Sequence, residues 1–237
     1  MLVIAAAVAV AVWTTYLLSS WPPEPPAGGR VQTSPAAGPM RPADGSSSPA
    51  TTDGETVMVV VGDSFTAGTD QNSGPEWPAL LAERLGWEII VEAAPRAGYV
   101  GSAAGADFGD HADEVAEHAA DIVLLAGGIS DLNDDADDVA RAAEDLVGRL
   151  TERLPEAEVV LASPFSNGRP GPVTTGLAER LEQVATEQGA TYLDVTGYLP
   201  FGYDLIGDDG VHPSDKGHRR IARELEQDLT EADPTRS

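Results

Sequence analysis

The sequence contains no cysteine, and only one of its basic residues is a lysine, Lys216. The lack of cysteine excludes disulfide bonds, thiolate zinc sites and cysteine nucleophiles. Basic residues are scarce as a class, with 14 Lys and Arg against 39 Asp and Glu, so the formal net charge is -25. A negative field of this size repels nucleic acids and anionic lipid headgroups. The composition therefore predicts no nucleic-acid partner, with most acidic side chains on solvated helix faces.

Charged residues are also absent from residues 1–20, which read "MLVIAAAVAVAVWTTYLLSS". A run of about 20 apolar residues is long enough to span a bilayer. A signal peptide would need a basic start and a small-residue cleavage site, but no Lys or Arg precedes Arg30 and "SSWPPEPP" is a poor site. We expect an uncleaved transmembrane anchor, with a signal peptide as the alternative. The protein is then a single-pass cell-membrane protein with an extracytoplasmic domain, or a secreted one if the segment is cleaved.

Residues 21–55 are rich in Pro, Gly, Ser and Thr and contain almost no large apolar side chain after Trp21. Such a segment cannot bury a core, and its prolines favour extended conformations. The composition predicts a disordered linker that holds a domain away from a surface. Residues 233–237 are expected to be a disordered tail.

Residues 56–232 alternate between short apolar runs and helical stripes. The runs are continuous and mostly β-branched or Leu, as in strands covered on both faces; they are Val57–Val61, Ile89–Val91, Ile122–Ala126, Val159–Ala162 and Tyr192–Val195. Between and after them, apolar residues recur every three or four positions, for example Leu146, Leu150 and Leu154, which marks one buried helix face. This alternation predicts a three-layer α/β/α sandwich with a five-stranded parallel sheet.

Ligands of such sheets bind at the carboxyl ends of the strands. Four unusual loops are expected there: Gly62-Asp63-Ser64, Ala97-Gly98, Gly127 to Asp131, and "DDGVHPSDKGH" from Asp208 to His218. Each lies after a predicted strand or just before the last helix, so the sequence predicts that they surround one site.

Ser64 lies where the first strand gives way to a helix, and two roles are open for it. It could cap the helix, or it could act as a nucleophile if a neighbouring base takes its proton. Asp209 and His212 are three residues apart in one loop, so the carboxylate could orient the imidazole as that base. A lone Asp-x-x-His is weak evidence, but its place before the last helix, after a Gly-Asp-Ser turn, strengthens it.

The segments "GDSFTAG" and "DGVHPSDKGH" resemble the first and last conserved blocks of the SGNH hydrolases, the GDSL-like esterases and lipases. The resemblance spans the predicted domain in the family's order. It implies a flavodoxin-like fold with Ser64 as nucleophile, His212 as general base and Asp209 as its partner. It also implies an oxyanion hole built from the backbone N–H groups of Ser64 and Gly98 and an Asn side chain, with no metal or organic cofactor.

The third block departs from the family pattern Gly-x-Asn-Asp, because this chain reads "GGISD" and has Ser130 where Asn is expected. Ser130 is therefore the candidate third donor of the oxyanion hole, although its side chain is shorter. The loss of one such donor typically lowers turnover by roughly 10²- to 10³-fold. Asn133 is offset by three residues and is expected to point elsewhere.

Other residues have both a functional and a structural interpretation. His111 and His118 could bind a metal, but without a His-Glu-x-x-His spacing we expect solvated surface histidines. His218 could be a second base, and Asp63 is expected to fix the loop as a hydrogen-bond acceptor. The aromatic residues before Asp209 could line an acyl or sugar pocket or pack the loop against the sheet; they are Tyr198, Phe201 and Tyr203.

The favoured function is a membrane-tethered serine esterase that cleaves an O-acyl group from an extracytoplasmic glycan or lipid through an acyl-enzyme. The alternative is a catalytically weakened or inactive ligand-binding module on the same fold. A third hypothesis is a phosphate- or flavin-binding domain, because "DSFTAGT" also resembles a phosphate loop. The sequence gives no indication of oligomeric state.

Overall fold

The computed structural model describes residues 56–69, 72–101, 106–168, 170–201 and 204–232. The predicted anchor, linker and C-terminal tail lie outside these ranges, as does Tyr203. Within the described residues, no helix combines the length and the apolar character needed to cross a bilayer.

The described part of the chain forms one parallel sheet of five strands. They are β1 (Val57–Gly62), β2 (Glu88–Ala93), β3 (Ile122–Ala126), β4 (Glu158–Ala162) and β5 (Thr191–Leu193). Their order in the sheet is β2-β1-β3-β4-β5, and every neighbouring pair is parallel. This is the flavodoxin-like order, in which the crevice for ligands lies at the carboxyl ends of β1 and β3.

Six α-helices and one 3₁₀ helix accompany the strands in the described residues. The α-helices are α1 (Ser64–Ala67), α2 (Trp77–Leu85), α3 (Ala112–Glu117), α4 (Ala136–Arg153), α5 (Pro172–Gln188) and α6 (Asp215–Ala232). The 3₁₀ helix, Phe108–His111, leads directly into α3.

Successive residues of β1 face opposite sides of the sheet, and both sides are covered. Val59 and Val61 are buried in a core closed by α3, α4 and α5. Met58 and Val60 are buried in a second core, closed mainly by α2 and α6. The predicted three-layer α/β/α sandwich with five parallel strands is confirmed.

β1 and β4 are each one residue longer than predicted, and β2 and β5 differ from the prediction at both ends. β2 is longer than its apolar run, because the flanking Glu88 and Glu92 still pair with β1. β5 ends at Leu193 rather than Val195, because the backbone N–H groups that follow donate to side chains and not to the neighbouring strand. The Val195 N–H donates to Ser163 Oγ at 2.8 Å, and the Thr196 N–H donates to the Asp194 carboxylate at 3.0 Å.

Candidate active site

Three side chains from two distant parts of the chain meet at the carboxyl end of β1. His212 Nε2 lies 3.0 Å from Ser64 Oγ, and His212 Nδ1 lies 2.6 Å from Asp209 Oδ2. The structure thus brings together Ser64, His212 and Asp209 in the order predicted from the sequence. A hydroxyl, an imidazole and a carboxylate in hydrogen-bonded series form the arrangement that activates a serine nucleophile.

The turn that contains Asp209 and His212 holds the carboxylate by several hydrogen bonds. Asp209 Oδ1 accepts from the backbone N–H groups of Val211, at 2.9 Å, and of His212, at 3.0 Å, which leaves Oδ2 for the imidazole. Gly210 has a φ of 71°, a left-handed conformation that favours glycine. Burial acts to raise the pKa of Asp209, but the hydrogen bonds from His212 and Val211 outweigh it and the pKa is lowered. The carboxylate is therefore charged at neutral pH and holds the Nδ1 proton.

The chain presents Ser64 through a close packing at Gly62. A Cβ on Gly62 would come within 2.3 Å of Thr66 Oγ1 and 3.0 Å of the Ala126 carbonyl oxygen. The Thr66 hydroxyl donates to that carbonyl at 3.3 Å, so α1 begins in direct contact with the end of β3. Glycine is required here by space, since the φ of Gly62 is not in the left-handed region.

Helix capping, one of the two roles left open for Ser64, belongs to its neighbour. Asp63 is the N-cap of α1, and its Oδ1 accepts from the Phe65 N–H at 2.9 Å. Ser64 is the first helical residue, with its Oγ on His212. The capping role for Ser64 is wrong, because the residue before it is the N-cap.

Asp63 also links two of the loops at the site. Its Oδ2 accepts from the Ile129 N–H at 3.4 Å, which confirms the predicted loop-fixing role. The side chain is buried, and burial raises its pKa to about 7, although the hydrogen bonds from Phe65 and Ile129 act in the opposite direction. The charge of nearby Asp131 adds to the increase.

The His212 ring is positioned by an aromatic layer beneath it. The ring centroids of His212 and Phe65 lie 5.7 Å apart with a tilt of 48°. Phe65 is stacked in turn on Phe165 at 5.7 Å, and both phenyl rings are buried. The imidazole therefore rests on a rigid apolar surface that limits its rotation.

The loop after β2 is fastened to the loop after β3 by Asp131. Its two carboxylate oxygens accept from the N–H groups of Tyr99, at 3.1 Å, and of Val100, at 3.0 Å. Burial raises the pKa of Asp131 while these two hydrogen bonds lower it, and the net shift is upward. Sequence reasoning assigned no role to Asp131, although its position directly after Ser130 in the third block was the available signal.

The predicted oxyanion donors are in three different situations. Within the described residues, the Ser64 N–H donates to no backbone carbonyl, as expected at the first position of a helix. The Gly98 N–H is not free, because it donates to the Ala106 carbonyl oxygen at 3.2 Å. In this conformation Gly98 therefore cannot be the predicted donor. Ser130 is half-buried in the turn after β3, whereas Asn133 is exposed.

His218 is a structural residue and not a second base. Its ring is fully buried; Nδ1 accepts from the Trp77 N–H at 3.1 Å, and the Asn72 side-chain amide lies 2.7 Å from Nε2. Burial lowers its pKa to about 4, although the charge of Asp215 opposes the shift. Both nitrogens are in use, so the neutral ring fastens the start of α6 to the start of α2.

The aromatic residues before the turn that contains Asp209 and His212 divide between the two predicted roles. Tyr198 is buried and packs against Phe165, with its hydroxyl hydrogen-bonded to Asp228, so it is part of the core. Phe201 is 81% exposed and borders an open cleft of about 360 Å³ that also contacts Asn167 and Gly210. Phe201 thus remains available to a ligand.

His111 and His118 are less solvated than expected. Their side chains are 21% and 32% exposed, and both contact the carboxylate of Glu92. The expectation of solvated surface histidines therefore holds in part, because both imidazoles are partly exposed but also contact Glu92 of the edge strand β2.

The sequence and the fold are similar to those of known hydrolases. Residues 60–220 match the sequence model of the GDSL-like lipase/acylhydrolase family. A GDSL lipase of Mycobacterium tuberculosis is 30% identical over 183 residues, which cover 71% of this chain and 79% of that protein.

Two solved structures illustrate the likeness in fold. A lipase/acylhydrolase from Enterococcus faecalis superposes with a TM-score of 0.59 at 19% identity, covering 73% of this chain and 96% of that one. A family two carbohydrate esterase from Clostridium thermocellum, in complex with cellohexaose, has a TM-score of 0.63 at 16% identity and covers 75% of this chain. This chain spans only 64% of the length of that esterase.

Proposed function

Because this chain belongs to the GDSL-like lipase/acylhydrolase family and is a serine hydrolase of the SGNH type, we propose that it cleaves carboxylic esters through an acyl-enzyme on Ser64. The observation that carries the proposal is the continuous contact from Ser64 Oγ through His212 to Asp209, with distances of 3.0 and 2.6 Å. A serine that only capped a helix would have no need of an imidazole held by a carboxylate.

The proposed reaction proceeds in two halves. Ser64 Oγ attacks the ester carbonyl carbon while His212 Nε2 takes the hydroxyl proton, and the charge of Asp209 stabilises the imidazolium that forms. His212 then gives this proton to the alkoxide as it leaves, and the acyl group remains on Ser64. His212 then takes a proton from water, whose oxygen attacks the acyl carbon. As the acyl–oxygen bond breaks, His212 returns this proton to Ser64 Oγ, and the carboxylic acid is released.

The oxyanion that develops on the carbonyl oxygen requires donors aimed at it. The Ser64 N–H is the first, since no backbone carbonyl of the described residues accepts from it. We propose the Ser130 hydroxyl as a weaker substitute for the family Asn. The Gly98 N–H can contribute only if its hydrogen bond to Ala106 opens, so we expect modest turnover.

We propose an O-acylated glycan as the substrate class. Support comes from the likeness in fold to a carbohydrate esterase and from the cleft of about 360 Å³ beside the catalytic turn, where Phe201 is exposed. A rigid aromatic ring at the edge of a cleft can stack on the apolar face of a sugar. Asn167, whose side-chain amide donates to the Gly210 carbonyl at 3.1 Å, lines the same cleft.

We also propose that residues 1–20 anchor the protein and that the linker places the hydrolase domain outside the cytoplasm. The support is the uncharged apolar composition of this segment. Alkaline carbonate extraction of cells expressing the full chain should leave it in the membrane fraction. Recovery of a shortened protein in the soluble fraction would instead identify a cleaved signal peptide.

The acyl-enzyme is tested by labelling with a fluorophosphonate, which reacts with activated serines. The full-length chain should be labelled at Ser64, and Ser64→Ala should not be labelled. Ser73→Ala is the matched control, because Ser73 is an exposed serine whose side chain makes no hydrogen bond within the described residues. Equal labelling of the full chain and of Ser64→Ala would refute the proposal.

A binding module without useful catalysis is the second candidate, and two observations favour it. Ser130 replaces the family Asn, and the Gly98 N–H is already donated to Ala106. Hydrolysis of a p-nitrophenyl ester series distinguishes the two candidates. A rate equal to that of Ser64→Ala for every acyl chain would favour the binding module.

A further inference from the structure

Three side chains converge at the sheet edge, outside the proposed active site. They are Glu92 of β2, His111 at the end of the 3₁₀ helix and Glu114 in the first turn of α3, here called the Glu92 cluster. One ligand atom from each lies within 4.8 Å of the other two. His111 Nδ1 is 3.2 Å from Glu114 Oε2 and 4.0 Å from Glu92 Oε2.

The local fold fixes this arrangement. His111, Glu114 and His118 follow one another at spacings of three and four, so they lie along one side of the helical segment. Phe108 and Val115 are fully buried and hold that segment against the core. The side chains that face the edge strand are therefore positioned by packing and not by their mutual attraction.

The charges in the cluster call for a cation. Glu92 and Glu114 place two carboxylates together, and in the described part of the chain neither forms an ion pair with Arg or Lys. With a neutral His111, the cluster has a formal charge of about -2, which one divalent ion compensates. The net charge of -25 further favours cation binding.

The spacing of the ligand atoms suits a small transition metal. Zn²⁺ binds imidazole nitrogen and carboxylate oxygen at about 2.0–2.2 Å, so neighbouring ligands of a tetrahedral site are about 3.3 Å apart. The distance of 3.2 Å from His111 to Glu114 already matches this spacing, and the distance of 4.0 Å from His111 to Glu92 requires a small contraction. Imidazole also disfavours Mg²⁺ and Ca²⁺, which prefer oxygen ligands.

We propose that the Glu92 cluster binds one divalent transition-metal ion, Zn²⁺ in particular, through His111 Nδ1, a carboxylate oxygen of Glu92 and a carboxylate oxygen of Glu114. Water completes the coordination on the exposed side, where the Glu114 side chain is 62% accessible. His111 Nε2 is buried without a partner in the described residues, so Nδ1 is the nitrogen available to the ion.

His118 has a positioning role in this site. Its Nε2 lies 3.3 Å from Glu92 Oε1, the carboxylate oxygen that does not face His111. A partner on one oxygen fixes the orientation of a ligating carboxylate, and the loss of such a partner typically weakens metal affinity by about 10- to 100-fold.

The ion would join the edge strand β2 to the 3₁₀ helix, which contacts the loop that follows β2. Phe108, three residues before His111, donates its N–H to the Gly98 carbonyl at 2.8 Å. Metal binding is thus expected to stabilise the fold around Gly98 without supplying a group to the reaction.

The test is metal titration of the full-length chain after chelator treatment. Calorimetry at pH 7.5 should show one equivalent of Zn²⁺ bound, with a rise in Tm, while Mg²⁺ gives neither. Binding should weaken at least about tenfold in Glu92→Gln, His111→Gln and His118→Gln. Glu117→Gln is the matched control, because this exposed residue of α3 undergoes the same charge change outside the cluster.

A spectroscopic measurement distinguishes the loss of the metal site from poor folding of a variant. Co²⁺ in a tetrahedral site gives intense visible absorption, which should appear with the full chain and with Glu117→Gln and be absent from His111→Gln. Zn²⁺ affinity that is equal in His111→Gln and the unmodified chain would overturn the proposal. So would the absence of a saturable one-equivalent event in the unmodified chain.

Discussion

Asp131 occupies the space beside Gly98 that a side chain would need. A Cβ on Gly98 would come within 2.6 Å of Asp131 Oδ1, closer than such contacts occur in proteins. The carboxylate can therefore reach the N–H groups of Tyr99 and Val100 only because residue 98 is glycine. The position of the loop after β2 depends on the pairing of Gly98 with Asp131.

Gly98→Ala should displace Asp131 and destabilise the loop after β2. We expect a Tm lower by several degrees, because the methyl group breaks one buried and one partly buried hydrogen bond, each worth about 1 kcal/mol. Differential scanning calorimetry measures this. Gly148→Ala is the control, since a Cβ there meets nothing within 4 Å and Ala favours the interior of α4. A Gly98→Ala variant as stable as Gly148→Ala would contradict the packing described.

Asp209→Asn should lower kcat by about 10³- to 10⁴-fold with little change in KM, because an amide no longer holds the Nδ1 proton of His212. Steady-state hydrolysis of a p-nitrophenyl ester measures both constants. Asp208→Asn is the matched control, since the exposed neighbour makes no hydrogen bond within the described residues. Equal losses in the two variants would indicate a general charge effect.

Ser130→Asn restores the residue type of the family motif and should raise kcat by up to about 10²-fold if residue 130 faces the oxyanion. Ser130→Ala should lower kcat, because it removes the hydroxyl donor. Both rates are compared with that of the unmodified chain at saturating ester. An unchanged or lower rate in Ser130→Asn would show that residue 130 lies elsewhere.

Asp63 should make the protein less stable as pH rises from about 4 to about 7. Its pKa is about 7 in the folded state and near 3.8 in the unfolded chain. In this window the unfolded chain releases a proton that the folded protein keeps, so rising pH favours unfolding. The slope of stability against pH, from urea unfolding, should become less negative in Asp63→Asn. It should not change in Asp145→Asn, an exposed residue of α4.

His218 should make the protein less stable as pH falls, the opposite of the effect of Asp63. Its pKa falls from 6.5 to about 4 on folding. Between these values the unfolded chain takes up a proton that the buried ring refuses, so stability is lost as pH falls through the window. In His218→Asn the side-chain oxygen can still accept from the Trp77 N–H. The decrease in the free energy of unfolding as pH falls, measured by urea unfolding, should therefore be smaller. The same pH dependence in both proteins would contradict the burial of a neutral ring.

The sheet and the meeting of Ser64, His212 and Asp209 could be predicted because they depend on patterns along the chain. Apolar runs such as Ile122–Ala126 mark buried strands, and parallel strands bring their carboxyl ends to one edge. Contacts that depend on three-dimensional packing could not be predicted. The hydrogen bond from Gly98 to Ala106 and the convergence of Glu92 with His111 join segments whose spacing gives no periodic signal.

The sequence also could not show which of Asp63 and Ser64 is the N-cap of α1. Asp and Ser are both good N-cap residues, and the sequence "DS" does not reveal which of them begins the helix. The close approach of Thr66 to Ala126 settles the register and leaves Asp63 at the cap.

The separation of Ser64 from His212 by 148 positions has a consequence for how the protein loses activity on heating. The acid and base share one short turn, so their mutual contact survives wherever that turn survives, while the nucleophile is fixed by the sheet. Thermal inactivation should then follow the detachment of the turn from the end of β1, at temperatures where the sheet is still intact.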